Sequence, residues 1–61
     1  MLNHDDLLFE NFPQGVSNSK GIRITHTPTG LAIICRDEDT YILNREKALK
    51  KLEMLVNNFV K

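Results

Sequence analysis

Residues 21–36, GIRITHTPTGLAIICR, set two runs of β-branched and aliphatic residues on either side of Thr27-Pro28-Thr29-Gly30. Ile22 to His26 and Leu31 to Cys35 have the composition of strands. Pro28, its φ fixed by the ring, suits the second position of a type I turn, and Gly30 can take the positive φ that closes such a loop. The stretch therefore predicts a β-hairpin. Alternation puts Ile22, Ile24 and His26 on one face, with Arg23 and Thr25 on the other. In the second run Leu31, Ile33 and Cys35 oppose Ala32, Ile34 and Arg36, and alternation leaves open which of these sets faces a core. A lone hairpin is marginal in water, so one face needs a cover.

The cover is the C-terminal segment. From Arg45 to about Val60 the apolar residues Ala48, Leu49, Leu52, Leu55, Val56, Phe59 and Val60 recur with helical period, opposite Lys47, Lys50, Lys51, Glu53, Asn57 and Asn58. Asn44 suits an N-cap, and Glu46 complements the positive end of the helix dipole. Before it, Tyr41-Ile42-Leu43 favours extended structure but directly precedes the helix. Alternation would let either Ile42, or Tyr41 with Leu43, turn inward as an extension of the second hairpin strand.

Upstream, Leu7 to Phe12 is a short apolar-rich run stopped by Pro13, read as a first strand; a helix capped by Asp5 or Asp6 would have too few residues for more than a turn or two. Residues 1–6 are polar and acidic and predict a frayed start. Residues 13–21 have loop composition, with Phe12 and Val16 as expected anchors. The fold expectation is a single α+β domain over residues 1–61: a small antiparallel sheet of three strands with one amphipathic helix on one face. Its expected core is Leu7 or Leu8, Phe9, Ile22, Ile24, Leu31, Ile33, Leu49, Leu52, Val56 and Phe59.

Arg23-Ile24-Thr25-His26, Pro28-Thr29-Gly30, Cys35 with Asp37-Glu38, then Asn44-Arg45 and Lys47-Ala48-Leu49 resemble the hairpin and following helix of class I peptide chain release factors. The resemblance covers about Gly21 to Leu55. It implies the fold of the domain that hydrolyses peptidyl-tRNA, and a setting in translation. In that family a Gly-Gly-Gln loop precedes the hairpin and supplies the chemistry, its glycines taking backbone conformations closed to other residues. Here the corresponding loop is shorter and holds Pro13-Gln14-Gly15, where proline also removes a backbone donor. The chain is therefore not expected to be an enzyme, and no residue is assigned a catalytic role. A second departure lies at Asp39-Thr40-Tyr41-Ile42-Leu43, where relatives carry a basic, polar run of the type Arg-Ser-Gln-His-Lys. The basic C-terminal tail of the related rescue hydrolases and the stop-codon-reading domains have no counterpart in these residues.

Charge agrees with a reduced role for RNA. Eight basic residues balance eight acidic ones, which is not the footprint of a protein held to nucleic acid by bulk charge. Arg23, Arg45, Lys47, Lys50 and Lys51 are the candidate RNA contacts; Tyr41, Ile42 and Leu43 are the candidate protein interface. His4 and His26 lack partners at metal spacing, Asp37-Glu38-Asp39 shows no calcium-loop spacing, and Cys35 within a strand reads as a small hydrophobe. No metal, cofactor or small-molecule substrate is expected. With no apolar run near 20 residues, no leader-like N-terminus and a single cysteine, the expected compartment is the cytoplasm. Three functions stay in play: a non-catalytic module binding a protein partner or itself, a ribosome or RNA binder, and a peptidyl-tRNA hydrolase acting in ribosome rescue.

Overall fold

In the computed structural model, residues 3–13, 15 and 19–59 are described. Three strands, β1 (Leu7–Phe12), β2 (Gly21–His26) and β3 (Leu31–Cys35), precede one helix, α1 (Tyr41–Phe59). The sheet is antiparallel with β2 in the centre. The expected α+β class, the first strand and the hairpin are what the chain forms.

Register settles which faces meet. Phe9, Ile24 and Ile33 lie side by side, as do Leu7, His26 and Leu31, and Asn11, Ile22 and Cys35. These rows face α1. The core is Ile22, Ile24, Cys35, Ala48, Leu52 and Val56, with Leu7, Phe9, Leu31, Ile33 and Leu49 packed half-buried around it. The alternative of Ala32 and Ile34 as core residues is thereby excluded, and of Leu7 and Leu8 it is Leu7 that turns inward. Phe59 is a correction: it is 55% exposed. A helix of 19 residues is about 28 Å long. Strands of five or six residues span only about 17–20 Å, so the last helical turn, beyond the buried Val56, overhangs the sheet. Val60 lies outside the described residues.

The turn is wider than the type I turn expected around Pro28. Both Thr29 N–H and Gly30 N–H donate to the His26 carbonyl, the second bond being the shorter at 2.8 Å. The chain makes one helical turn over 27–30 and returns through Gly30 at φ 77°. At the other end of β2, a Cβ on Gly21 would run into the Phe12 carbonyl oxygen, so the close approach of β1 and β2 there needs glycine.

From Asn3 onward the chain makes local contacts. His4–Asp6 forms a 3₁₀ turn capped by the Asn3 side chain, and the Asp6 carbonyl accepts from both Thr27 N–H and Thr27 Oγ1. Met1 and Leu2 lie outside the described residues, as do Gln14 and the expected anchor Val16. Of the loop at 13–21, Pro13 follows a cis peptide bond and the Ser19 hydroxyl donates to the Phe12 carbonyl.

Candidate functional site

The helix begins earlier than its sequence signals suggest. Thr40 caps it: its hydroxyl accepts from Leu43 N–H at 3.2 Å, and its carbonyl takes the first helical bond from Asn44 N–H at 3.1 Å. Tyr41, Ile42 and Leu43 thus form the first helical turn and do not extend β3. The physical reason is that Thr40 offers an N-cap four residues ahead of Asn44, and capping outweighs the modest strand preference of three residues.

Asn44, displaced from the cap, has another task. It is wholly buried, and its side chain uses every hydrogen-bonding position it has. Nδ2 donates to the carbonyls of Lys20 (2.7 Å) and Glu38 (3.2 Å). Oδ1 accepts from Glu38 N–H (2.8 Å) and from the Cys35 thiol (3.5 Å). One carboxamide therefore ties together the approach to β2, the end of β3, the connection after it and the first turn of α1. This hub orients the helix start, and with it the residues that flank Asn44.

Those flanking residues are the candidate interface. Tyr41, Ile42 and Leu43 are 36%, 65% and 47% exposed. The helix can bury one stripe, and at its start Asn44 occupies the inward position, leaving the three apolar neighbours outside. Leu43 also lines a shallow depression with Glu38, Glu46, Lys47 and Lys50. Exposed aliphatic residues beside a tyrosine, rimmed by charge, have the make-up of a protein contact.

The five candidate RNA contacts do not form one cluster: Lys47, Lys50 and Lys51 are neighbours on α1, Lys47 and Lys50 lining the same depression, while Arg23 and Arg45 lie elsewhere. Arg23 lies on the sheet face opposite the helix, where Nη2 and Nε reach Glu10 Oε1 at 2.7 and 3.0 Å. Arg45 rests over the Phe9 ring, 5.3 Å from its centroid. Lys47 pairs with Asp37 and Glu38, both at 3.3 Å. The hydrogen bond to Asp37, then that to Glu38, holds the Lys47 ammonium above the ordinary lysine value. Lys50 and Lys51 are exposed on the helix. Alternation already sets Arg23 apart from the helix cations, but sequence spacing could not show which carboxylates pair with them, because cross-strand register brings Glu10 to Arg23 and the path after β3 brings Asp37 and Glu38 to Lys47.

His26 and Cys35 have local partners of their own. His26 is nearly buried at the end of β2, its Nδ1 2.8 Å from Thr29 Oγ1. Cys35 is a buried free thiol. Among the described residues no three His, Cys, Asp or Glu side chains converge as metal ligands, and no helix is long and apolar enough to cross a membrane.

Comparison with known proteins finds local similarity to release factors. It is 46% identical over 37 residues to peptide chain release factor 1 of Clostridium botulinum, and equally so to those of Finegoldia magna and Clostridium beijerinckii. Each match covers 61% of this chain and 10% of the release factor, so the chain spans about a tenth of the length of these relatives. No family model matches the chain, and no solved structure does. The similarity is local: it joins one segment of this chain to a short segment of release factor 1.

Proposed function

We propose that this chain is a non-catalytic, release-factor-like module that binds a protein partner in translation or its regulation, with Tyr41, Ile42 and Leu43 as the contact. The observation that carries the reading is the outward placement of these three apolar residues in one helical turn, on a helix start fixed by a buried hub. The non-catalytic part rests on Pro13-Gln14-Gly15 standing where the family has Gly-Gly-Gln. Local neutralisation of Arg23 and Lys47 by carboxylates favours a protein over RNA.

The test combines two variants and three assays. The double variant Tyr41→Ser with Leu43→Ser, both at exposed positions, should stay folded and lose the partners that the wild-type chain retains on a column. Sedimentation with purified ribosomes at two salt concentrations addresses the second reading, a ribosome binder, which the similarity to release factor 1 favours. Binding led by RNA phosphates weakens steeply with salt, whereas binding through the apolar turn does not. Partners kept by the double variant would refute the assigned contact. Peptidyl-tRNA hydrolysis that disappears in Gln14→Ala would refute the non-catalytic reading.

A further inference from the structure

We infer that the outer edge of β3 pairs antiparallel with β3 of a second copy of this chain, joining two sheets into one of six strands. This is independent of the contact assigned to Tyr41–Leu43. β3 closes one side of the sheet, and among the described residues no turn or loop backbone pairs with it from outside. An edge strand presents a row of N–H and C=O groups that takes up another strand unless it is blunted by charge, proline or a bulge. β1 carries Glu10 and ends at Pro13, whereas Leu31-Ala32-Ile33-Ile34-Cys35 has none of these devices.

The edge is apolar on both sides. Ile34, on the face away from the helix, is 47% exposed. Leu31 and Ile33, on the helix side, are only half-buried, so α1 does not cover them fully. Leu55, also exposed, follows Asn44 by eleven residues, three helical turns, and so lies on the flank of α1 that faces β3.

A second copy fits this edge better than an arbitrary strand because β3 is self-complementary about Ile33. Antiparallel pairing on that centre sets Ile33 opposite its own copy, Ala32 opposite Ile34 and Leu31 opposite Cys35. No charge falls within the paired strands. The next pair sets Arg36 against Gly30, whose missing side chain leaves room, with no charge of the same sign opposite. Directly opposed residues share a face, so Leu31 and Ile33 of both copies meet on the helix side and both helices lie on the same side of the joined sheet. With equal numbers of acidic and basic residues, net charge does not oppose association. Five paired residues bury less than a standard interface, so the dimer is weak and forms with rising concentration.

Sedimentation equilibrium from micromolar to millimolar chain should show the average mass rising from 7.0 kDa toward twice that value. Ile34→Lys alters an exposed side chain and places a cation on the shared edge; it should stay folded and remain monomeric throughout the range. Ala32→Lys, also at an exposed position on the same face, serves if Ile34→Lys fails to fold. In the wild type, mixing labelled and unlabelled chains should give intermolecular nuclear Overhauser contacts between the two Ile33 residues. Tyr41→Ser with Leu43→Ser should leave the association unchanged. A wild-type chain monomeric at millimolar concentration overturns the inference, as does association without the Ile33 contact, or association that survives the lysine but is lost in the serine variant.

Discussion

Asn44→Ala and Asn44→Gly together test the hub at the helix start. Removing the carboxamide leaves the Lys20 carbonyl, the Glu38 carbonyl and the Glu38 N–H without their partner. An unsatisfied buried polar group costs about 1–3 kcal/mol. Lys20 and Glu38 lie partly at the surface, so water recovers some of these bonds; the expected loss is about 2–4 kcal/mol for Asn44→Ala. Native stability for 61 residues is of the order of 3–9 kcal/mol, so the variant should unfold at markedly lower denaturant. The Gly variant gives a difference of sign. If Asn44 were the cap, glycine would be tolerated better than alanine, because a glycine cap costs only a few tenths of a kcal/mol. Inside the first helical turn the order reverses, and glycine is worse than alanine by about 1 kcal/mol. Urea unfolding followed by circular dichroism, with equal slopes required for comparison, reads both quantities. An Asn44→Ala variant within about 0.5 kcal/mol of wild type, or a glycine variant more stable than the alanine one, would refute the hub.

Two further perturbations probe how α1 packs. Leu52→Ala, at a fully buried position, should lose roughly 2–5 kcal/mol in the same unfolding assay. Phe59→Ala, on the overhanging end, should lose less than about 1 kcal/mol; a loss as large as that of Leu52→Ala would mean the helix end is covered. Because Asp37 and Glu38 hold Lys47 above 10.5, its contribution to stability is complete below that pH and is lost as pH rises through the higher folded-state value. Lys47→Met and wild type should therefore unfold at increasingly similar temperatures as the solution is made strongly alkaline, a convergence that differential scanning fluorimetry can follow.

Strand identity and the sheet class were legible because turn residues and alternation act locally. Leu7–Phe12 ends where Pro13 removes a donor, and the hairpin strands end where Thr27-Pro28-Thr29-Gly30 forces a turn. The helical stripe through Ala48, Leu52 and Val56 was equally readable, since period 3.6 is a property of sequence alone. Tyr41–Leu43 was legible only in part: a filled stripe leaves some of the trio outside, but alternation set it in an extension of β3, whereas it forms the first turn of α1. The tertiary structure alone decided four matters. Pairing register chose Leu31 and Ile33 over Ala32 and Ile34, because only the neighbouring strand fixes which side of a pleat meets the helix. The mismatch between helix and strand lengths put Phe59 into solvent. Cross-strand placement set Glu10 on Arg23, and the path of the connection brought Asp37 and Glu38 to Lys47, pairing cations whose partners the sequence does not show. Asn44 moved from cap to hub because its partners come from Lys20, Cys35 and Glu38, and a side chain's capacity for four hydrogen bonds carries no sign of which backbone groups the fold will deliver to it.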